Sequence, residues 1–365
     1  MEKKKILIIS VGIVPPSVMI GGMAAVRQLV ERLAKDGAFE IHTLSALSLG
    51  TDPKIDKIPH VRHFVRSENP FLIRLLFFAK ALSLNRKYKF DLIHDYSSSP
   101  LLVGLTGILG KICGCKTLHT LCVVNEGLFG SERLSFTFPW VDKVIRTAPN
   151  LLPSKEGVEY LPLGIDTEKF KPQPKDFKKT ILFLGSLTER KGAGVLLRAA
   201  EKVVKNHPDA KFIFASYGKG EHDPGYRSHR EKLQKISAGL EKNIDFREGM
   251  QDVVELMSSA DIFVLPATSL HGTMSPPITL LEAMSSGLPC VVSDVCHGDG
   301  LVEDGVNCLL FPSGNVEDLS DKINSLLGDE GLREKLGRSA RQKVVEQFDL
   351  DKVANKLSKL YQELI

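Results

Sequence analysis

Short runs of apolar residues alternate with longer amphipathic segments along most of the chain. Twelve of the short runs have the length and residue content of strands, at residues 6–11, 40–44, 61–64, 92–94, 116–120, 143–147, 180–184, 212–215, 244–246, 262–265, 290–292 and 308–311. Strands that alternate with helical segments are typical of βαβ units, in which the strands lie parallel. The pattern therefore predicts an α/β protein with Rossmann-like, doubly wound parallel sheets.

A polar stretch rich in proline and lysine, residues 169–179, separates two series of predicted strands and has the composition of an interdomain linker. The 365 residues also fit two domains better than one, at about 150 residues per domain. We predict a Rossmann-like N-terminal domain over residues 1–165 and a Rossmann-like C-terminal domain over residues 166–345. Ligands usually bind such domains in a cleft at the carboxyl ends of the strands.

The N-terminus allows an alternative interpretation. Three lysines at residues 3–5 precede an uncharged stretch over residues 6–26, as in a signal peptide or membrane anchor. A proline pair at 15–16 and a glycine pair at 21–22 interrupt that stretch, which favours a strand, a glycine loop and a helix instead. No other uncharged apolar run reaches the roughly 20 residues that a membrane span needs.

Composition excludes several classes of protein. The net charge of +4 is mild for this length and does not indicate a nucleic-acid-binding protein. The six cysteines form no Cys-x-x-Cys pair and have no histidine at zinc-site spacing, so they fit neither a structural zinc site nor a secreted disulfide framework. We therefore expect a reducing, cytoplasmic location.

The most informative stretch is residues 271–294, in which a polar loop follows a predicted strand and Pro276 and Pro277 begin a helix. A helix N-terminus carries unpaired N–H groups and a partial positive charge, so it can bind a phosphate or diphosphate. Glu282 lies about one turn inside this helix. On spacing alone, Glu282 is either a functional carboxylate or a solvated residue in an i,i+4 contact.

Residues 276–294, PPITLLEAMSSGLPCVVSD, closely resemble the donor-site segment of glycosyltransferase family 4, the glycosyl transferases group 1. Further matches lie at residues 161–170, 183–192 and 302–311. The resemblance implies a GT-B fold, with two Rossmann-like domains across a cleft and a C-terminal helix at residues 346–365 that packs back on the N-terminal domain. It also implies a nucleotide-sugar donor on the C-terminal domain, retention of configuration, and no metal or other cofactor.

The resemblance also assigns roles to single residues. Lys191 matches a phosphate-binding lysine, Glu282 a glutamate that accepts hydrogen bonds from the ribose, and His119 a histidine close to the donor sugar. These three are the candidate catalytic residues. The candidate donor-binding residues are Gly21, Gly22, Ser186, Arg190, Gly218, Ser275, Ile278 and Thr279. Each of the three also has a plain structural alternative, such as a solvated turn lysine or a hydrogen-bonded histidine at a strand end.

The sequence departs from the family pattern eight residues before Glu282. The family has a second glutamate at that position, where it holds hydroxyl groups of the donor sugar, and this chain has Met274. Either the neighbouring backbone with Ser275 or Thr279 takes over those contacts, or the selectivity for the sugar differs.

Two further departures lie in the same predicted site. Ser186 stands where the family usually has an arginine beside its phosphate lysine, and Arg190 is the candidate replacement. Residues 296–300, CHGDG, replace the paired glycines and Pro-Glu that are more common in the family. These changes indicate either an unusual donor or lost catalysis.

Residues 71–90 predict a strongly apolar helix that also carries Arg74, Lys80, Arg86, Lys87 and Lys89. Such a helix could lie on an anionic membrane and meet a lipid-linked acceptor. Its apolar residues occupy more than one face, which favours a helix packed in the protein core.

Together these features predict a glycosyltransferase that acts on an unidentified glycan, lipid-linked or small-molecule acceptor. We expect it in the cytoplasm or peripherally on the cytoplasmic membrane face, without a nucleic-acid partner. Two alternatives remain at this level: a nucleotide-sugar epimerase on the same fold, and a catalytically degenerate subunit that binds a sugar nucleotide.

Overall fold

The structure is a computed structural model. It describes residues 2–10, 21–47, 61–66, 70–96, 100–123, 140–152, 154, 156–216, 224–249, 252–271, 273–298 and 300–365. The chain forms two compact units. Unit 1 contains Met1–Ile165, His271–Ser275 and Phe348–Ile365, and unit 2 contains Asp166–Leu270 and Pro276–Gln347. Residues 271–275 lie within the range predicted for the second domain, yet they belong to unit 1.

Parallel strands connected by helices make up both units. The strands are β1 (Lys4–Ile9), β2 (Phe39–Leu47), β3 (Val61–Arg66), β4 (Leu92–Asp95), β5 (Lys116–Leu121), β6 (Lys143–Arg146), β7 (Val158–Tyr160), β8 (Thr180–Leu184), β9 (Lys211–Ser216), β10 (Ile244–Glu248), β11 (Ile262–Leu265), β12 (Cys290–Ser293) and β13 (Leu309–Phe311). The helices are α1 (Gly21–Asp36), α2 (Pro70–Tyr88), α3 (Pro100–Cys113), α4 (Ala193–Asn206), α5 (Pro224–Ile236), α6 (Val253–Ser259), α7 (Ile278–Ser285), α8 (Val316–Gly328), α9 (Glu330–Gln347) and α10 (Leu350–Leu364).

Unit 1 is built on a seven-stranded sheet in the order β3-β2-β1-β4-β5-β6-β7. Every pair of neighbouring strands is parallel. The edge strand β7 was not among the predicted strands. It has only three residues, of which Glu159 and Tyr160 are exposed, so it lacks the apolar run that marks the others.

Unit 2 has a six-stranded parallel sheet in the order β10-β9-β8-β11-β12-β13. In both sheets the order starts from a central strand, runs outward to one edge, and then resumes on the other side of that strand. This is the doubly wound Rossmann order. The predicted fold class is confirmed, and each of the twelve predicted strands is present.

The central strands of unit 2 are buried on both faces. All residues of β8, β11 and β12 are buried, and Phe183, Phe212 and Phe214 are completely enclosed. Helices cover both faces of a doubly wound sheet, so its inner strands need continuous apolar runs rather than alternation. These runs are the same ones that made the strands recognisable in the sequence.

The helix α2 packs into the core of unit 1 through Phe77, Ala81 and Leu84. Leu72 and Leu75 are 47% and 44% exposed on the same helix. The interpretation of α2 as a packing helix therefore agrees with the structure. Among the described residues, no helix is both long and apolar enough to cross a membrane.

The last helix, α10, belongs to unit 1. The Asp349 side chain caps its N-terminus by accepting hydrogen bonds from the backbone N–H groups of Asp351 and Lys352. Its buried face includes Leu357 and Tyr361 and packs against α1. Asp351 also pairs with Arg32 of α1. These contacts join the end of the described chain to its first βαβ unit.

Candidate functional site

The strand order of unit 2 reverses between the adjacent strands β8 and β11. At such a position the connections leave toward opposite faces of the sheet and open a crevice at the carboxyl ends of the strands. Ser186, Arg190 and Lys191 follow β8, and the loop after β11 leads to α7, which carries Glu282. The donor candidates of unit 2 are therefore grouped at the edge of the sheet where this fold class binds ligands.

The turn that carries Lys191 is held tightly against the loop after β11. It is a 3-10 turn, Glu189–Lys191, followed by Gly192 in the left-handed region with φ of 74°. A Cβ atom on Gly192 would lie 1.7 Å from the carbonyl oxygen of Pro266. The backbone N–H of Thr268 donates to the carbonyl oxygen of Arg190 at 2.8 Å. The position of Lys191 is thus fixed by backbone contacts.

Lys191 is a partly buried cation. Burial lowers its pKa, the charge of Arg190 lowers it further, and the Cys296 thiol opposes both effects. Arg190 and Ser186 are exposed, and the Ser186 and Thr188 hydroxyl oxygens are 3.4 Å apart. A bound anion would favour the charged form of Lys191 that burial disfavours. This arrangement suits a phosphate ligand.

Glu282 lies one turn inside α7 and is 8% exposed. Its Oε2 atom has no hydrogen-bond partner among the described residues. Burial raises the Glu282 pKa to about 8, and the Lys169 charge opposes the shift. The alternative that Glu282 is a solvated helix residue is therefore wrong. A pKa of about 8 favours the neutral acid at pH 7 in the unliganded protein, and the role of Glu282 as an ionised acceptor of ribose hydrogen bonds stays a prediction.

Ile278 and Thr279 are the first two residues of α7, directly after Pro277. Backbone N–H groups in a first helical turn have no acceptor within the helix. Ile278 is 5% exposed and anchors this turn in the core, whereas Thr279 is half-buried. The pair therefore places N–H donors at the same edge of the unit 2 sheet as the Lys191 turn.

His119 lies on β5 of unit 1 and is completely buried. Its Nδ1 atom is 3.1 Å from Oδ2 of Asp95, the last residue of the neighbouring strand β4. The parallel register pairs the two residues directly. A carboxylate on Nδ1 fixes the orientation of an imidazole ring. Asp95 was not among the predicted residues, although its place at the end of β4 was a usable signal.

A second buried histidine stands beside this pair. His94 Nδ1 is 2.6 Å from the hydroxyl oxygen of Tyr361 on α10, and His94 Nε2 is 2.7 Å from Thr120 Oγ1. Burial lowers the His94 pKa well below its ordinary value, so the ring is neutral. His94 precedes Asp95 in the sequence, and Thr120 follows His119. A single chain of hydrogen bonds, from Tyr361 through His94 to Thr120, thus holds the residues next to the His119–Asp95 pair.

Residues 274 and 275 pair with the two residues that follow β5, Cys122 and Val123. Met274 forms an antiparallel bridge with Val123, and the Ser275 N–H donates to the Cys122 carbonyl oxygen at 3.0 Å. The Ser275 hydroxyl donates to Asn150 Oδ1, and the Ser275 carbonyl oxygen accepts from Thr147. The backbone and side-chain polar groups of Ser275 are therefore already engaged within unit 1.

Residues 164–343 match the family model described as glycosyl transferases group 1. Residues 164–343 therefore belong to this family. A UDP-Gal:alpha-D-GlcNAc-diphosphoundecaprenol alpha-1,3-galactosyltransferase of Escherichia coli is 26% identical over 321 residues, covering 77% of this chain and 78% of that protein. A phosphatidyl-myo-inositol mannosyltransferase of Mycobacterium leprae is 30% identical over 240 residues, covering 61% of this chain and 60% of that protein.

Solved structures show the same fold. Sucrose-phosphate synthase from Thermosynechococcus elongatus superposes with a TM-score of 0.80 at 21% identity, covering 99% of each chain. Anabaena HepE, solved in complex with UDP, superposes with a TM-score of 0.77 at 18% identity, covering 99% of this chain and 100% of that one. The fold of this group 1 glycosyltransferase is therefore GT-B.

The predicted site residues of this group 1 glycosyltransferase fall into two sets, one in each unit. Unit 2 groups Ser186, Arg190, Lys191, Ile278, Thr279 and Glu282 at one edge of its sheet. In unit 1, His119 lies on β5, and Ser275 is hydrogen-bonded to Cys122, the residue after β5. Gly21 and Gly22 are the first two residues of α1. Gly218 lies outside the described residues.

Metal binding can be assessed only where side chains are described. Within those parts of the chain, no group of three or more His, Cys, Asp or Glu side chains is arranged to hold a metal ion. None of the six cysteines, all of which lie in described segments, forms a disulfide bond.

Proposed function

We propose that this group 1 glycosyltransferase transfers a sugar from a nucleotide-sugar donor, held by unit 2, to an acceptor bound at unit 1. The observation that carries the proposal is the buried Glu282 carboxyl group, whose Oε2 atom has no partner in the described part of the chain. A buried polar atom without a partner costs stability unless a ligand satisfies it. The vicinal hydroxyl groups of a ribose have the right chemistry to do so.

The Lys191 turn supplies a cation for the diphosphate, and the first turn of α7 supplies backbone N–H donors. Negative charge grows on the leaving diphosphate during sugar transfer, so fixed cations and oriented N–H groups stabilise the transition state more than the ground state. Arg190 adds a second exposed cation next to Lys191. It is our candidate for the role of the arginine that Ser186 replaces.

We further propose that transfer retains the anomeric configuration and needs no bound metal. A retaining reaction without an enzyme nucleophile proceeds on one face of the sugar, with the leaving phosphate acting as the base. His119, oriented by Asp95, is the candidate contact to the donor sugar. NMR analysis of the product tests this part, because an inverted anomer would contradict it.

The acceptor class is supported by the names of relatives. The relatives from Escherichia coli and Mycobacterium leprae are named for an undecaprenol-linked and an inositol-lipid substrate. The α2 helix of unit 1 carries exposed leucines beside basic residues. We therefore propose a lipid-linked acceptor, reached by peripheral contact of residues 71–90 with the cytoplasmic membrane face.

Thermal stabilisation across UDP, GDP, ADP and their sugar conjugates tests the donor site, because a ligand that binds only the folded state raises its stability. Lys191→Ala and Glu282→Ala should each weaken the affinity for the stabilising nucleotide by about 10- to 100-fold. Lys191→Ala removes a hydrogen bond from a charged group, which contributes about 1.5–3 kcal/mol, and Glu282→Ala removes the hydrogen bonds of two ribose hydroxyl groups, at about 0.5–1.5 kcal/mol each. Lys205→Ala, an exposed lysine at the end of α4, is the matched control.

Two results would contradict the site assignment: unchanged nucleotide affinity in Glu282→Ala, or equal losses in Lys191→Ala and Lys205→Ala. Product analysis then separates the possible activities. Transfer to a lipid-linked acceptor supports the proposal. Conversion of the donor alone into its epimer, or binding without any turnover, would overturn it.

A further inference from the structure

A cavity lies beside the unit 1 sheet, at the opposite end of the strands from Asp95 and His119. Its volume is about 670 Å³, which is within the range of roughly 300–1,000 Å³ for small-molecule sites. Four charged residues at strand ends line the cavity. Lys4 and Lys116 are the first residues of β1 and β5, and Asp91 and Asp142 immediately precede β4 and β6. The cavity is therefore formed at the amino ends of the parallel strands.

Trp140, the only tryptophan of the chain, forms one wall of this cavity. It is 46% exposed. The backbone of Trp140 packs directly on Gly107 of α3, where a Cβ atom would lie 2.2 Å from the Trp140 carbonyl oxygen. Lys111, one turn further along α3, places its Nζ atom 5.0 Å from the centre of the indole. The ring is thus held in place by a rigid helix while much of it stays accessible.

The two carboxylates at the cavity are fixed before any ligand binds. Asp91 Oδ2 accepts the Lys5 backbone N–H at 2.8 Å, and its Oδ1 accepts Lys4 Nζ at 2.9 Å. Asp142 Oδ2 accepts both the backbone N–H and the hydroxyl group of Thr117 at 2.8 Å. The Asp91 and Asp142 side chains remain 29% and 36% exposed. Preorganised acceptors of this kind lose little entropy when they bind a ligand.

The charges of the cavity identify the class of ligand. Lys4 pairs with Asp91, and Lys116 lies 3.3 Å from Asp142, so each aspartate already has a cation. The third lysine of the lining, Lys111, lies over the Trp140 ring. A polyanion would have to compete with those carboxylates. Hydroxyl groups both donate and accept, so they suit alternating carboxylates and ammonium groups. The indole adds an apolar platform with a polar edge, which suits the flat apolar face of a sugar ring.

We propose that this cavity binds a pyranose unit of a neutral glycan, at a site separate from the candidate transfer site. Trp140 supplies the stacking face, and Asp91 and Asp142 accept hydrogen bonds from neighbouring hydroxyl groups. Such a site would hold a glycan chain on unit 1 through a part of the molecule that does not react.

Intrinsic fluorescence tests the proposal directly, because all tryptophan emission of the full chain comes from Trp140. Titration with maltohexaose, cellopentaose and α-1,6-mannotriose should change the emission in a saturable way with at least one of them, and UDP should not. No change with any of the three sugars would overturn the proposal. A change seen only with heparin or phosphatidylglycerol vesicles, and lost at high salt, would overturn it in favour of an anionic ligand.

Calorimetric titration with the sugar that gives the largest change then tests the role of Trp140. Trp140→Ala should weaken binding by about tenfold or more, and Trp140→Phe, which keeps an aromatic face, by much less. Tyr160→Ala, which removes another exposed aromatic ring of unit 1, is the matched control and should bind normally. Thermal stabilisation by nucleotide should be the same in all three variants, which also shows that they are folded. Equal affinity in Trp140→Ala and the unmodified chain would contradict the proposal.

Lys111→Ala distinguishes the two ligand chemistries by a second route. If the ligand is a neutral glycan, removing the lysine from the indole uncovers a stacking face, and the affinity should stay the same or rise. If the ligand is an anion, the loss of an ammonium group should lower the affinity, and that result would overturn the proposal.

Discussion

The Glu282 carboxyl group is 8% exposed, and one of its oxygens has no hydrogen-bond partner among the residues that the structure describes. Burial raises its pKa to about 8. At residue scale this side chain links ligand binding to stability. The folded state tolerates the group by keeping it protonated, since a buried charge without a partner is costly. A ligand that satisfies Oε2 would remove that penalty.

We expect Glu282→Gln to stabilise the unliganded protein increasingly as the pH rises. Between pH 4.5 and about 8, the raised pKa keeps Glu282 protonated in the folded chain, whereas the same carboxyl group is ionised in the unfolded chain. Glu282 therefore lowers the free energy of unfolding as the pH rises through this window, by about 1.4 kcal/mol per pH unit at most. Glutamine does not titrate, so denaturant unfolding at pH 5, 6.5 and 8 should show a growing difference in its favour.

Glu231→Gln is the control for this experiment, because Glu231 is an exposed glutamate on α5. Its effect on unfolding should be small at each pH. A Glu282→Gln difference that does not change with pH would show that the carboxyl group is not buried as a neutral acid.

Gly192 controls the position of Lys191, and alanine at this residue should be strongly destabilising. The left-handed backbone costs a side chain about 1–2 kcal/mol, and the new Cβ atom would meet the Pro266 carbonyl oxygen at 1.7 Å. We expect a lower free energy of unfolding together with weaker nucleotide binding. Gly194→Ala, whose nearest atoms are 3.7 Å away, should leave both properties nearly unchanged. Similar unfolding of the two variants would refute the prediction.

At the scale of elements, α2 combines two kinds of surface. One face is fixed in the core of unit 1 through Phe77, Ala81 and Leu84, while Leu72 and Leu75 remain exposed. An exposed leucine by itself is ordinary. Two exposed leucines one turn apart, on a helix with Arg86 and Lys87 in its last turn, form a surface of the kind that binds anionic membranes.

The double variant Leu72→Asp and Leu75→Asp should bind vesicles of phosphatidylglycerol at least several-fold more weakly than the unmodified chain. It loses buried apolar area in the lipid interface and gains repulsion from the anionic headgroups. Ile112→Asp, at a 59% exposed apolar residue of α3, is the control and should bind as before. Sedimentation with vesicles measures the difference. Equal binding of all three proteins would exclude α2 as the contact surface.

At the scale of the whole molecule, residues far apart in the chain assemble unit 1. Its sheet comes from the first 165 residues, α10 from the last 18, and the bridge to Val123 from residues 271–275. The hydrogen bond between Tyr361 and His94 spans 267 positions of the sequence. The structure around the His119–Asp95 pair therefore depends on the C-terminal helix.

Tyr361→Phe should destabilise unit 1 by about 1–3 kcal/mol, because the buried Nδ1 atom of His94 loses its partner. Hydrogen exchange should rise in β4 and β5, and much less in the strands of unit 2. Tyr160→Phe, on the exposed edge strand β7, is the matched control and should change stability by less than about 0.5 kcal/mol. Uniform exchange through both sheets would contradict this assignment.

The sequence by itself determined the fold class, twelve of the thirteen described strands and the family. Inner strands of a doubly wound sheet are buried on both faces, so local apolar runs such as those of β8 and β11 identify them without knowledge of their neighbours. The family motif likewise lies in one continuous stretch around Glu282. The edge strand β7, whose residues are largely exposed, had no such local signal and was missed.

Only the tertiary structure decided the environment of the functional side chains. Burial of Glu282, the contact of Asp95 with His119, and the enclosure of Ser275 by residues over a hundred positions away all depend on packing between distant segments. The same holds for the cavity beside Trp140, which four strand ends and a helix form together. Residue type and spacing alone do not determine such contacts, because desolvation and hydrogen bonding are properties of the folded surroundings.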